Sequence, residues 1–257
     1  MDYEYLKRYV LGEFGMDLSA YKDNQIKRRL EILLTRTNTD DYKGYVQFIK
    51  KDDGERAKLL RALTVNTTEF YRDPVVFDYL KEQVFPGLLK EKERIRIWSA
   101  GSSDGPEPYT IAMILDSMAI PTQRFQIYAT DIDNEVLARA KVGKYQERRL
   151  AKLPSGWRER YFREVDRGYI ISDDIKNRVS FKKHDLLGKL LLGPWDVVLC
   201  RNVLIYLNRE AQQNLVTKFA HLLESGGYLI LGWPEYIFQP EKQGLTRVGP
   251  CTYKKNS

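Results

Sequence analysis

"SAGSSDGPEPYTIAMIL", residues Ser99–Leu115, decides how the chain is read. A run of small residues separates the apolar "RIRIWSA" from a helical pattern that opens on proline. Strand, tight loop and helix in that order begin an α/β unit, and ligands of such sheets sit beyond the carboxyl ends of the strands. Gly101 and Gly105 tolerate positive φ, and the small residues let the backbone approach a ligand closely. A phosphate-gripping loop would continue G-K-[ST], but Pro106 and Glu107 follow Gly105. The dinucleotide fingerprint G-x-G-x-x-G is absent as well, because the two glycines are spaced G-x-x-x-G.

The next apolar stretch, "FQIYATDID", ends in acids, and Asp131 stands thirty positions after Gly101. An acid roughly 20 to 30 residues beyond such a loop typically binds ribose hydroxyls. The pocket therefore expects a ribose without a pyrophosphate grip. Asp104 and Glu107 suit a cationic nucleoside, and S-adenosylmethionine combines adenosine, a sulfonium and an amino-acid end. The competing interpretation is a loop that is glycine-rich for packing alone.

Outward from this unit the alternation continues. "NEVLARAKVG" and "NREAQQNLVTKFAHLLESGG" read as helices closed by glycine, and "WDVVLCRN" and "YLILGW" as buried strands. Strands alternating with helices predict a parallel sheet covered on both faces. "LTRVGPCTYKK" predicts an edge strand. Between about 142 and 183 the alternation lapses, which predicts a small inserted β-subdomain. Residues 1–63 carry apolar stripes at helical spacing, as in Ile26, Leu30, Leu33 and Leu34, and read as a helical domain. A polar connector, 64–74, leads to the α/β domain at 75–257. The expected class is α/β: a Rossmann-like sheet that binds S-adenosylmethionine, with an N-terminal all-helical domain and an inserted β-subdomain.

Composition narrows the class. The 257 residues are 43% hydrophobic, and no apolar run approaches the roughly 20 residues of a membrane span. The N-terminus lacks a secretion signal, so a cytoplasmic protein without direct membrane insertion is the simplest expectation. Two cysteines, Cys200 and Cys251, give neither metal spacing nor a disulfide framework, so no metal is expected. Net charge is +7, and residues 139–168 hold ten Lys/Arg against four acids. Such a surface attracts nucleic acid, anionic lipid or acidic protein, and charge alone does not choose among them.

Four stretches resemble the chemotaxis receptor methyltransferase family (CheR-type): "NTTEFYRDP" at 66–74, "IWSAGSSDGPEPYTIAMIL" at 97–115, "ATDIDNEVLARAKVGKY" at 129–145, and "CRNVLIYL" at 200–207 with "GGYLILG" at 226–232. They occur in the family's order, and the resemblance covers nearly the whole chain. It implies methyl transfer from S-adenosylmethionine to glutamate side chains of chemoreceptors, leaving S-adenosylhomocysteine. It further implies cofactor contacts from Asn66, Thr68 and Arg72, from Gly101 and Glu107 in the loop, from Asp131 at the ribose, from Asp185 and Leu186 at the adenine, and from Arg201 and Asn202 at the methionine end. Tyr206 resembles the tyrosine beside the reactive methyl, and Arg72 and Tyr206 are the expected catalytic pair. The bland alternative for Arg72 is a surface ion pair with Asp73.

Two departures from the family pattern matter. The family loop commonly has two acids before its proline, and Pro106 occupies one of those places. The turn "REVDRGYII" is short, which argues against docking on a receptor tail peptide. Receptor contacts are implied on the second helix, where Arg28, Arg29 and Arg36 fall opposite the apolar stripe with Gln25 and Ile32 between them. The partner is then the cytoplasmic methylation region of chemoreceptors, and a monomer is the default expectation. Two other classes compete. A nucleic-acid methyltransferase would use the basic segment, but "RNVLIY" stands where base-modifying enzymes usually carry prolines and an aromatic. A receptor-docking module without catalysis would not need Arg72, Asp131 and Tyr206.

Overall fold

The computed structural model describes residues 2–64, 68–188 and 193–257. The chain forms two compact units, Met1–Asn66 with Tyr206–Asn214, and Thr67–Ile205 with Leu215–Ser257.

The first unit contains α1 (Asp2–Phe14), α2 (Asp23–Thr37), α3 (Tyr42–Ile49) and α4 (Asp53–Leu63). Their ends are set by local chemistry. Asp41 and Asp52 accept from the backbone N–H groups of Gly44 and Glu55, satisfying donors that a helix start leaves open. Asn38 closes α2 in the left-handed conformation. Ile26, Leu30 and Leu33 of α2 are buried, as their spacing predicts. The basic side of α2 is not uniform. Arg28 is exposed, but Arg29 turns inward and donates to the Leu63 carbonyl at the end of α4 (3.0 Å). Arg36 pairs with Glu55 at 2.8 Å. Two of the three arginines expected to form a free docking face are thus engaged in holding α2 to α4.

The second unit opens with α5 (Pro74–Tyr79) and α6 (Phe85–Glu91). Its sheet is built from β1 (Ile95–Ala100), β2 (Phe125–Asp131), β6 (Val179–Lys183), β7 (Trp195–Cys200), β8 (Leu223–Leu231), β9 (Leu245–Gly249) and β10 (Thr252–Lys255), in the order β6-β2-β1-β7-β8-β10-β9. The first five of that order run parallel, and β10 is antiparallel to both its neighbours. The strand order therefore reverses between β1 and β7, where a crevice opens at the carboxyl ends. All six residues of β7 are buried, the pattern of a strand covered on both faces. Helices α7 (Pro106–Ser117), α8 (Asn134–Val142) and α11 (Arg209–Leu222) connect the strands. Pro106 begins α7 because its fixed φ suits the first helical turn.

The stretch 142–183 divides differently from the sequence expectation. Three short strands, β3 (Lys144–Tyr145), β4 (Phe162–Val165) and β5 (Gly168–Ile171), form an antiparallel sheet ordered β3-β5-β4. Helices α9 (Trp157–Tyr161) and α10 (Asp173–Lys176) flank β4 and β5 in the chain. Val179–Lys183 does not belong to this subdomain, because it pairs in parallel with β2 as an edge of the main sheet. Its half-exposed pattern reads equally well as a hairpin strand, and only the open edge of β2 distinguishes the two. The C-terminal stretch is likewise a two-strand hairpin rather than one edge strand.

The subdomain is fastened by charge and ring contacts. Asp116 at the end of α7 accepts from Arg160 (2.7 Å), Arg178 (2.7 Å) and the Tyr161 hydroxyl (2.9 Å). Phe70 meets Tyr145 and Phe162 edge-on, an arrangement aromatic quadrupoles favour. Gly168 lies where β5 passes the Tyr145 carbonyl, with φ +149° and room for no Cβ, which would stand 2.3 Å from that oxygen. Gly168→Ala is expected to cost about 1–3 kcal/mol of local strain. A thermal melt should show a transition several degrees lower, and an unchanged melt would mean the strand pair yields freely.

Candidate functional site

The carboxyl ends of β1, β2, β7 and β8 carry the groups of interest, all within the second unit. The loop after β1 bends as its glycines require, with φ +77° at Gly101 and +99° at Gly105. A methyl at Gly101 would lie 2.7 Å from Val203 and 4.0 Å from Leu186, so the loop backbone runs close against both following segments.

Arg201, directly after β7, is nearly buried, and a permanent charge there needs partners. Its Nη2 donates to Asp73 Oδ2 and to the Arg72 carbonyl, each at 2.7 Å. Its Nη1 faces Glu107 Oε2 at 3.4 Å, and the guanidinium lies 5.0 Å from the centre of the Phe77 ring. Glu107 also accepts from Ser99 Oγ at 2.7 Å. Burial pushes the Glu107 carboxyl above its ordinary range, and the Arg201 charge opposes that rise. Asp73 pairs with Arg201.

Asp131 is buried at the end of β2. One carboxylate oxygen accepts from Ser103 N–H (2.8 Å) and the other from Asp133 N–H (3.1 Å). Ile132 N–H also hydrogen-bonds to it, and of the roughly four acceptor positions of an ionised carboxylate about one stays open. Desolvation raises this carboxyl, and its backbone hydrogen bonds work against the rise. His184 N–H donates to the Asp131 carbonyl at 2.9 Å, which brings Asp185 and Leu186 beside the end of β2. The Asp185 carboxylate caps its own turn, accepting from Leu187 N–H at 3.0 Å.

Three polar atoms at these strand ends are buried with no hydrogen-bond partner: the Ser102 and Ser103 hydroxyls and Arg201 Nε. Leaving such a group unmatched costs about 1–3 kcal/mol, so they mark a place built for a polar ligand. This set fits S-adenosylmethionine, whose hydroxyls, ring nitrogens and carboxylate can answer hydroxyl and guanidinium donors. Among the described residues no group of His, Cys, Asp and Glu could hold a metal ion.

The expected site residues are thus distributed unevenly. Glu107, Arg201 and the Arg72 backbone meet directly, and Gly101, Asp131 and Leu186 lie at neighbouring strand ends. Thr68 is half-buried in the segment leading to α5, and Asn66 lies outside the described residues. Tyr206 belongs to the helical unit, where Arg29 stacks on its ring at 5.0 Å and Lys22 N–H donates to its carbonyl at 2.9 Å. Asp104 corrects the sequence reading. Arg149 grips it through two nitrogens, at 2.7 and 3.2 Å, so its charge is matched within the chain and not held for a ligand cation. That pair also lowers the free charge of the basic segment. Lys152 and Arg160 there similarly reach Glu69 and Asp116.

Two comparisons bear on this arrangement. Residues 66–252 match the family description "CheR methyltransferase, SAM binding domain", and residues 1–64 match "CheR methyltransferase, all-alpha domain". The chain belongs to the CheR methyltransferase family. Similar CheR relatives are the chemotaxis protein methyltransferases of Listeria monocytogenes, 34% identical over 255 residues (99% of this chain, 97% of that protein), and Listeria innocua, 33% over 255 residues (99% and 97%). That of Borreliella burgdorferi is 34% identical over 264 residues (98% and 93%).

Sequence reasoning missed Glu235 in this CheR fold. It is 7% exposed and accepts from the backbone N–H groups of Gly232 (2.6 Å), Asn202 (2.8 Å) and Ile205 (3.3 Å). An acid just past a buried strand, in "LGWPEY", was the available signal. Its neighbours Trp233, Tyr236 and Phe238 are exposed and carry no hydrophobic periodicity to flag them.

Arg201→Met would leave Glu107 and Asp73 without their cation. Breaking a buried pair this way costs about 3–5 kcal/mol. The free energy of urea unfolding should fall by that amount, and an unchanged value would show that Glu107 and Asp73 do not depend on this cation.

Proposed function

We infer that this protein transfers a methyl group from S-adenosylmethionine to glutamate side chains in the cytoplasmic methylation region of chemoreceptors, forming methyl esters. The supporting observation is likeness along the full chain, helical domain included, to proteins named chemotaxis protein methyltransferase. The orphaned donors at the strand ends support the cofactor. Among the described residues no helix is long and apolar enough to cross a membrane, which accords with an enzyme that meets receptors from the cytoplasm.

S-adenosylmethionine, when bound, supplies a methyl carbon on a sulfonium, with neutral S-adenosylhomocysteine as the leaving group. The acceptor glutamate has a pKa near 4.3 and is ionised at neutral pH. The protein therefore needs no general base, and the acids at the strand ends are already committed to structure. Glu107 faces Arg201, and Asp131 holds the loop after β1. Their work is to fix the backbone and bind. In this reading Asp131 takes the ribose hydroxyls, Asp185 and Leu186 bind the adenine, and Arg201, Asn202, Thr68 and Arg72 bind the methionine end. The family resemblance assigns Asn66 to cofactor binding as well and Tyr206 to the methyl transfer. Placement of two reactants in line supplies up to about 7–11 kcal/mol of the barrier.

Labelled S-adenosylmethionine incubated with receptor-rich membranes tests the reading. Base-labile label on protein is expected, and label on nucleic acid or none would overturn it. Asp131→Ala is expected to weaken cofactor binding by about 1.5–3 kcal/mol. Calorimetry showing wild-type affinity in the folded variant would remove Asp131 from the site.

The receptor is proposed to meet α2. There exposed Arg28 and Ile32, the latter 66% exposed, stand one helical turn apart. Arg28→Ala should raise KM for receptor and flatten its salt dependence, as rim charges act on encounter. Arg36→Ala should lower thermal stability, because it removes a partner of Glu55. Wild-type receptor kinetics for Arg28→Ala at low salt would move the docking face elsewhere.

A further inference from the structure

The loop after β7 turns sharply. Asn202 sits in the left-handed region at φ 61°, a conformation that Asn accepts more readily than most side chains. The next residues tighten into a short turn, Leu204–Tyr206. Backbone N–H groups there point inward and need acceptors. One carboxylate answers those of Asn202, Leu204 and Ile205.

Glu235 reaches back from the segment after β8. Its Oε2 accepts from Asn202 N–H at 2.8 Å and Gly232 N–H at 2.6 Å, and its Oε1 accepts from Ile205 N–H at 3.3 Å. Leu204 N–H also hydrogen-bonds to it. The three backbones are interlocked. A Cβ at Gly232 would stand 2.7 Å from Glu235 Oε2, 2.8 Å from Asn202 N and 2.9 Å from Asn202 Nδ2. Glycine at 232 is thus required for the carboxylate to enter. The groups seen to meet the Glu235 carboxylate are backbone N–H donors. Burial lifts its carboxyl above the ordinary range, and the backbone donors pull the other way.

We propose that Glu235 is a positioning residue for methyl transfer: its carboxylate fixes the loop that presents Asn202 to the cofactor. This rests on the reading that places the methionine end of S-adenosylmethionine at Arg201 and Asn202. Glu235 touches neither cofactor nor acceptor. It acts by holding the donors of 202, 204 and 205 in one arrangement before the cofactor arrives, so that binding does not have to order the loop. Glu107 differs from it in kind, because Glu107 answers a charge and Glu235 answers backbone.

Glu235→Gln keeps the shape but replaces an acceptor oxygen with an NH2 that cannot accept. In the folded variant the Kd for S-adenosylhomocysteine, measured by calorimetry well below the melting transition, should rise at least tenfold. KM for receptor should keep its wild-type value. Amide exchange at 202, 204 and 205 should quicken at least tenfold. Glu235→Asp keeps the charge but shortens the reach, and should raise the same Kd about threefold, which decides the matter if the glutamine variant does not fold. A lower melting temperature with wild-type Kd and unchanged exchange would make Glu235 merely structural and overturn the proposal. Failure of the wild-type protein to bind S-adenosylhomocysteine would instead sink the cofactor reading, and the proposal with it.

Discussion

A guanidinium buried at the end of β7 governs the architecture around the strand ends. The interior cannot solvate the Arg201 guanidinium, so it needs partners. Everything within reach is arranged accordingly. Asp73 is held at the entrance of α5 in a left-handed conformation and turns its carboxylate towards Arg201. The Arg72 carbonyl is drawn to the same nitrogen. Glu107, one residue into α7, approaches from the other side. One cation thereby ties the segment before α5, the first turn of α7 and the end of β7. These three come from positions far apart in the chain, and no local preference would bring them together.

Around that cation the remaining polar groups fall into two kinds. Some are satisfied from within. Asp131 gathers the loop after β1, Asp104 is clamped by Arg149, and Glu235 collects the backbone after β7. Others, the Ser102 and Ser103 hydroxyls and Arg201 Nε, are buried without partners. The first kind makes a rigid rim and the second leaves it chemically open. A preorganised site of this sort suits methyl transfer to an acceptor that is already ionised. With the proposed glutamate acceptor no proton must be moved, and rate then comes from alignment and from exclusion of water.

The charge of the chain is distributed by the same logic. The segment 139–168 is strongly basic in sequence. In the fold, Arg149, Lys152 and Arg160 reach acids outside the segment and fasten the β-subdomain. What reads as a surface for an anionic partner is partly an internal fastening. On α2 the outcome is similar. Arg29 and Arg36 hold neighbouring helices, and Arg28 remains exposed.

By itself the sequence determined the α/β class, the helical domain, the glycine-bent loop after β1 and the acid at the end of β2. Each depends on local chemistry: periodicity, proline at a helix start, glycine at positive φ, a carboxyl at a strand end. The resemblance carried the site residues, and the loop's missing phosphate grip pointed to the same cofactor. Only tertiary structure decided the pairings. That Val179–Lys183 joins the main sheet depends on the open edge of β2, which no window of sequence contains. That Asp104 belongs to Arg149, and Asp73 to Arg201, depends on elements separated by 45 and 128 residues. Glu235 was invisible for the same reason. Its partners are backbone N–H groups, which every residue has, and a sequence does not record where they point.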